Sequence, residues 1–398
     1  MVQTKSLSSK EKRILSSLSD GNFDEAIRLI RDQSEPYNVN ATDENGTTLL
    51  MQSAFKGSVE LCEELLHLGA DVNANDHDHG YTALMFATLS GNPELCRLLL
   101  SHGAKAYRTN NIGKTASEMA AFIGQHQCVS VINNFIALDD IEHIIHPPGS
   151  SAQPRVPMEL ASVLHQLSRT YNIHPVKTVL FLRTNSDLLQ HRKQLLYIFD
   201  ELFEKQIKSK ERNEVMAFKL HIILSTIREV FTFLDAIHKN EPSCTKPDAE
   251  LLEKFTKQLL AAEKTYHFTE NLEVLLRRAI QKFPYLDSVL FQTIVKQLAD
   301  TPLGNQPSSM NVINQVILGH RQVIDGSFCG ACGEPKAKKR CGSCRLENYC
   351  CAYCQKLHWV AAHKRWCAEL KAIHDDAQRR KAEMQQQRNE EEQQPMNE

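Results

Sequence analysis

The spacing of seven cysteines and one histidine near the C-terminus constrains the fold of this chain more than any other feature. The series reads Cys329-x2-Cys332-x8-Cys341-x2-Cys344-x5-Cys350-x3-Cys354-x8-His363-x3-Cys367. Each Cys-x2-Cys pair can turn tightly enough to present two thiolates to one Zn²⁺ ion, and eight nitrogen and sulfur ligands fill two tetrahedral sites. Because sites filled by protein ligands leave no position open to water, we expect a structural module with two Zn²⁺ ions and no catalysis of its own.

A disulfide framework is the competing explanation for clustered cysteines, and it fits poorly. The chain begins MVQTKSLSSK, without an apolar signal core, and no run approaches the roughly 18 apolar residues of a membrane span. Four other cysteines are scattered singly, as reduced thiols are (Cys62, Cys96, Cys128 and Cys244). We therefore expect a soluble, intracellular protein that does not insert into membranes.

Three segments of the N-terminal third repeat with a period of 33 to 34 residues. Each begins with a glycine, and a second glycine follows eleven residues later. The pairs are Gly46 and Gly57, Gly80 and Gly91, and Gly113 and Gly124. The period and the Gly-x-Thr-x-Leu opening of the first two segments resemble the ankyrin repeat, a β-turn followed by two antiparallel helices that stacks into a solenoid.

Residues from about 158 to 325 show apolar residues at helical spacing, as in the run from Phe218 to Leu234. No Gly-rich phosphate loop, nucleophile elbow or telling pair of carboxylates interrupts this pattern. The aromatic residues at helical spacing are interpreted as core. We predict a helical region that separates the two ends of the chain.

With the repeats in view, the cysteine-rich segment resembles a MYND finger. Its hallmarks are Tyr349 directly before Cys350, and the run from Gln355 to Trp359 that leads to His363 and Cys367. The interleaved scheme of that family implies one zinc on Cys329, Cys332, Cys350 and Cys354. It implies a second zinc on Cys341, Cys344, His363 and Cys367.

Two positions leave the ligand register open. Cys351 adjoins Cys350, and the Tyr-Cys-x3-Cys pattern favours Cys350 without excluding its neighbour. The gap from Cys354 to His363 is one residue longer than usual, which brings His358 into consideration. His358 follows Cys354 too closely to reach the other site, so His363 is preferred.

The sequence thus predicts a mainly α-helical protein with an ankyrin solenoid, a helical middle and a C-terminal two-zinc MYND finger. The predicted segments are an irregular capping repeat (1–42), ankyrin repeats (43–75, 76–109 and 110–140), a linker (141–157), the helical region (158–325), the finger (326–371) and a Gln/Glu-rich tail (372–398).

Charge argues for protein partners rather than nucleic acid. The finger from Cys329 to Lys371 holds nine Lys and Arg against three Asp and Glu. Seven thiolates and two Zn²⁺ ions reduce its formal charge to about +3, which is modest for tracking phosphates. MYND modules bind short proline-containing peptides in a shallow groove, and such a peptide is the expected ligand here.

The combination of repeats, helical middle and finger resembles the ankyrin-repeat and MYND-domain protein 2 family. That resemblance implies a non-enzymatic adaptor in the cytoplasm and cilium, which helps to deliver membrane guanylyl cyclases and associates with an FKBP-type immunophilin.

Two other functional classes are compatible with a MYND finger. A transcriptional corepressor adaptor in the nucleus would use the same modules. A MYND-linked enzyme would need further motifs: the Asn-His-x-Cys segment of a SET methyltransferase is absent, and His374-Asp375-Asp376 has no later histidine to complete an iron triad.

Overall fold

The computed structural model describes residues 7–32, 34–208, 212–241, 243, 245–262, 268–318 and 327–392. Cys244 and the last residues of the Gln/Glu-rich tail lie outside these ranges. The chain forms two compact units. Unit 1 comprises Met1–Pro154, Leu164–Tyr171 and Leu202–Ala217, and unit 2 comprises Arg155–Val163, Asn172–Glu201 and Phe218–Glu398.

Short helices in antiparallel pairs make up most of unit 1. They are α1 (Ser9–Ser19), α2 (Phe23–Arg31), α3 (Leu49–Phe55), α4 (Val59–His67), α5 (Ala83–Leu89), α6 (Pro93–Ser101), α7 (Ala116–Phe122), α8 (His126–Asn133) and α9 (Leu138–Ile145). In each repeat a threonine begins the first helix, because its hydroxyl accepts the backbone N–H three residues later. These N-caps are Thr48, Thr82 and Thr115.

The turns that precede the first helices lie side by side, and we call them repeat turns 1, 2 and 3 (residues 39–48, 72–82 and 105–115). The backbone N–H of Asp78 donates to the carbonyl of Asn45 at 3.0 Å, and that of Asn111 donates to the carbonyl of His79 at 3.0 Å. Gly46 allows this approach, since a Cβ there would lie 2.1 Å from the carbonyl oxygen of Asp76. The repeat turns therefore form a continuous hydrogen-bonded edge.

Apolar residues at equivalent positions of successive repeats build one core through unit 1. Cys62 and Cys96 occupy the same position on α4 and α6, and Cys128 lies one position earlier on α8. All three are fully buried. Burial raises the pKa of the Cys62 thiol to about 12. These cysteines pack as small apolar side chains.

Segments from the middle of the sequence complete unit 1 beyond α8. His165 Nε2 lies 2.7 Å from the carbonyl oxygen of Ile136, and the Lys205 ammonium lies 2.7 Å from the Asp140 carboxylate. Asn213 donates to the hydroxyl of Tyr107. The last repeat is thus covered by residues that lie far from it in sequence.

Longer helices form the middle of the chain. They are α10 (Leu160–Ser168), α11 (Pro175–Thr184), α12 (Arg192–Lys208), α13 (Glu214–Asn240), α14 (Asp248–Leu260), α15 (Glu270–Gln281), α16 (Val289–Leu298) and α17 (Ser309–Leu318), with a 3₁₀-helix at Ser186–His191. The buried Glu273 carboxylate accepts hydrogen bonds from the backbone and side chain of Ser309 and so fixes the start of α17.

The C-terminal part of unit 2 contains little regular structure apart from helices. Strands β1 (Lys339–Arg340) and β2 (Asn348–Tyr349) pair antiparallel, and they precede α18 (Ala352–Ala361), a 3₁₀-helix at His363–Arg365 and α19 (Cys367–Glu392). Among the described residues, no helix is both long and apolar enough to cross a membrane. The prediction of a mainly α-helical chain with N-terminal repeats and a C-terminal cysteine-rich module is confirmed.

Candidate metal centre

The first group of cysteines comes together from three parts of the module. Cys329 and Cys332 lie on the turn before β1, Cys350 follows β2, and Cys354 lies in the first turn of α18. The sulfur of Cys332 lies 3.6 Å from that of Cys350 and 3.7 Å from that of Cys354, and Cys350 and Cys354 are 3.5 Å apart. With Cys329 they form a cluster whose ligand atoms all lie within 4.8 Å of one another.

The second group contains three cysteines and one histidine, and all four residues are buried. Cys341 and Cys344 lie between the strands, while His363 and Cys367 follow α18. The Cys341 and Cys367 sulfurs are 3.7 Å apart, and His363 Nε2 lies 3.3 Å from Cys341 Sγ and 3.5 Å from Cys344 Sγ. The histidine therefore presents Nε2 to the thiols.

Both donor sets fit Zn²⁺. Zn–S bonds of about 2.3 Å and Zn–N bonds of about 2.0 Å in a tetrahedron place two sulfurs about 3.8 Å apart and a sulfur and nitrogen about 3.5 Å apart. The separations in both clusters are close to these lengths. The module therefore has one cluster of four cysteines and one of three cysteines and a histidine, which can hold two structural zinc ions.

The thiols of the first cluster lie close enough to donate protons to one another in hydrogen bonds. Hydrogen bonds from Cys332 and Cys354 lower the pKa of Cys329, and the same contact with Cys329 raises the pKa of Cys332. Because zinc binds thiolates, these protons leave when the metal binds, and affinity falls with decreasing pH.

The two alternative residues, Cys351 and His358, lie outside both clusters. Cys351 accepts the backbone N–H of Cys354 through its sulfur and is the N-cap of α18. His358 Nδ1 lies 3.2 Å from the hydroxyl of Tyr349, and burial lowers the pKa of His358 to about 4. Neither role requires metal, since one residue caps a helix and the other packs in the core of the module.

Comparison with known proteins identifies both ends of the chain. Residues 13–110 and 73–134 match the model of ankyrin repeats, and residues 329–367 match that of the MYND finger. Dauer abnormal formation protein 25 of Caenorhabditis elegans is 36% identical over 332 residues, which cover 83% of this chain and 84% of that protein. The chain belongs to the ankyrin-repeat and MYND-domain protein 2 family. Both of the domains that it contains are interaction modules.

A feature of this family member that sequence reasoning missed is a set of hydrogen bonds between the MYND finger and the start of α11. The side-chain amide of Asn172 donates to the carbonyl of Cys332 at 3.0 Å and to the Glu334 carboxylate at 2.9 Å. The same carboxylate accepts the Lys177 ammonium at 2.9 Å. The loop that carries two thiols of the first cluster is therefore bound by residues about 160 positions earlier in the chain.

His174 packs against this loop of the MYND finger. It is buried, burial lowers its pKa to about 4, and its Nδ1 accepts the backbone N–H of Val176 at the start of α11. Gly333 has a φ of +67°, and a Cβ there would lie 2.9 Å from His174 Cδ2. The sequence gives only one sign of this contact, the glycine that follows Cys332 in the first metal-binding turn. It does not indicate that Asn172 and His174 are the neighbours of that turn.

Helices α11 and α14 and the residues that follow α14 supply further contacts to the MYND finger. The hydroxyl of Tyr353 donates to the Glu253 carboxylate at 3.3 Å, and the Arg183 guanidinium lies 4.7 Å from the centre of the Tyr353 ring. The Arg365 guanidinium donates to the carbonyl of Ala262 at 3.0 Å. The finger and the helices that it contacts belong to the same compact unit.

Proposed function

We propose that this chain is a non-enzymatic adaptor that binds other proteins and helps to deliver membrane guanylyl cyclases and related signalling proteins to the cilium. An FKBP-type immunophilin is a further partner in this proposal. The observation that carries the adaptor role is the presence of ankyrin repeats and a MYND finger in one chain. The cyclases, the cilium and the immunophilin are what the resemblance to the family implies.

The chemistry of the metal centre supports an adaptor. We propose that Cys329, Cys332, Cys350 and Cys354 bind one zinc ion, and that Cys341, Cys344, His363 and Cys367 bind the second. Four protein ligands complete each tetrahedron, so each ion stabilises the fold and has no position for a substrate. The role of the zinc is then to shape the groove for a proline-containing peptide.

Affinity purification from ciliated cells tests this proposal, with the wild-type chain and two cysteine variants. Cys344→Ser removes a ligand of the second cluster, whereas Cys351→Ser changes a cysteine outside both clusters and keeps a helix-capping side chain. We expect wild-type and Cys351→Ser proteins to recover membrane cyclases and an immunophilin, and Cys344→Ser to lose the partners that bind the finger.

Imaging of cyclases in cells that lack the protein provides the second measurement. We expect cyclases to be depleted from cilia and restored by the wild-type chain. Normal ciliary cyclase levels, together with nuclear enrichment and chromatin partners, would contradict the trafficking role and support a corepressor adaptor instead. Turnover of a methyl donor or of 2-oxoglutarate by the purified zinc-loaded chain would contradict the non-enzymatic role.

A further inference from the structure

A cluster of aromatic rings extends from repeat turn 2 along α5 to the last residue of α3, and we call it the aromatic patch (Phe55, His77, Tyr81 and Phe86). Phe55 and Phe86 meet edge to face at 5.9 Å, His77 stacks on Tyr81 at 5.3 Å, and Tyr81 lies 5.5 Å from Phe86. Phe55 remains half exposed. The patch is therefore an assembled aromatic surface that is in part open to solvent.

The exposed apolar surface continues on the third repeat. Phe122 is 93% exposed and Ile112 is 77% exposed. Phe122 lies two residues before Gly124, as Phe55 lies two residues before Gly57, so the two rings occupy equivalent positions of their repeats. Large exposed apolar side chains that cluster on one face mark interaction sites.

Acidic residues lie on repeat turns 1 and 2, and repeat turn 2 also carries His77 and Tyr81 of the aromatic patch. Glu44, Asp76 and Asp78 are exposed, and no ion pair within the described ranges involves them. Asp43 is partly buried, and its carboxylate accepts the backbone N–H groups of Asn45 and Thr47. Lys56 follows Phe55 directly as the C-cap of α3, and its ammonium donates to the carbonyl of Ser19. Repeat turn 2, which carries two of the rings, and the neighbouring repeat turn 1 thus present carboxylates that have no ion-pair partner among the described residues.

The faces of aromatic rings attract cations, and arginine stacks on them while its guanidinium also pairs with carboxylates. The hydrogen bonds that join neighbouring repeat turns hold the backbone of the acidic residues in place. Little conformational entropy is therefore lost when a ligand binds. We propose that the aromatic patch and the acidic residues of repeat turns 1 and 2 bind an arginine-rich segment of a partner protein. This proposal rests on the proposed adaptor function.

Fluorescence anisotropy with the full-length, zinc-loaded protein tests the proposal. The probes are three labelled peptides of equal length in which glycine alternates with arginine, lysine or glutamate. We expect the arginine peptide to bind most tightly, the lysine peptide more weakly and the glutamate peptide not at all. Affinity for the arginine peptide should fall as salt increases.

Variants separate the two parts of the surface. Glu44→Gln/Asp76→Asn/Asp78→Asn removes three charges whose side chains make no described hydrogen bond, and should weaken arginine-peptide binding at least about 10-fold. Phe55→Ala should weaken it about 2- to 30-fold, the range of a cation–π contact. The matched control Glu63→Gln/Glu94→Gln/Asp139→Asn removes three exposed charges elsewhere in unit 1 and should change affinity less than about twofold.

Equal binding of the three peptides, or equal weakening by the test and control triple variants, would overturn the proposal. Recovery of cyclases by a wild-type chain that binds no arginine peptide would also overturn it while leaving the adaptor function intact. Conversely, tight arginine-peptide binding by a chain that recovers neither cyclases nor an immunophilin would support this surface and contradict the adaptor's proposed partners.

Discussion

The repeats and the MYND finger reach ordered structure by different means. In the repeats, the same side chains recur at the same positions, as Thr48, Thr82 and Thr115 do at helix starts, and each repeat buries its apolar face against the next. The finger has two strands of two residues and depends on thiols gathered from distant turns. Order in the repeats therefore comes from stacked apolar surface, and order in the finger from metal ligation and polar contacts.

Removal of zinc should separate the two regions most strongly. Structural zinc contributes on the order of 10 kcal/mol to the folding of small fingers, so a strong chelator should unfold this one. Trp359 and Trp366, the two tryptophans of the chain, both lie in it, and Trp366 is only 6% exposed. We expect tryptophan emission to shift toward that of exposed indole while the amides of α3 to α8 keep their protection from hydrogen exchange.

Cys344→Ser should reproduce that shift without chelator, and Cys351→Ser should not. Loss of protection in the repeats to the same extent as in α18 would show that one cooperative unit spans both regions, and would refute the contrast.

Gly333→Ala should destabilise the finger by about 2–4 kcal/mol, since a left-handed backbone with a side chain costs about 1–2 kcal/mol and overpacking adds a similar amount. The new methyl group would meet His174. Gly342→Ala is the matched control, because a Cβ there meets nothing within 4 Å. Zinc release measured against increasing chelator should begin earlier for the first variant alone, and equal release curves would contradict the packing argument.

Asn172→Ala tests the polar contacts at the same loop. It leaves the buried Cys332 carbonyl without this donor, at a cost of about 1–3 kcal/mol. Asn185→Ala, which removes a hydrogen bond to Phe181 at the other end of α11, serves as the control. We expect weaker zinc retention only for Asn172→Ala, with two zinc ions still bound at saturation. Unchanged retention would mean that the finger holds this loop unaided.

The smallest effect should come from Thr115→Ala. It removes the hydroxyl that accepts the Glu118 N–H at 3.2 Å and should cost about 1 kcal/mol, confined to the repeats. Thr293→Ala, in the exposed interior of α16, should have no such cost because alanine favours helix. Hydrogen exchange of α7 and α8 measures the difference. A change in zinc retention by Thr115→Ala would contradict the independence of the repeats.

The same contrast explains how much the sequence could predict. A 33- to 34-residue period is local information, so the glycine pairs and Thr-x-Leu openings predicted the repeats correctly. The metal-binding pattern predicted a two-zinc module for the same reason. The limits of the predicted segments, and the ligand role of each cysteine, stay predictions.

Contacts between residues that are distant in sequence could not be predicted. Asn172 is one polar residue among many, and its partner lies 160 positions later. His165, Lys205 and Asn213 cover the last repeat from a region that reads only as helical. Periodicity says which face of a helix is buried but not which other element covers it.

The hydrogen bonds of Asn172 also bear on how such a finger can pass between genes. A recombination event that cut near residue 326 would transfer the seven cysteines and the one histidine of the metal centre. It would leave behind the amide that holds the Cys332 carbonyl and the ammonium that neutralises Glu334. The finger would arrive with its ligands but without these two contacts, and the loop around Cys332 would be held less firmly.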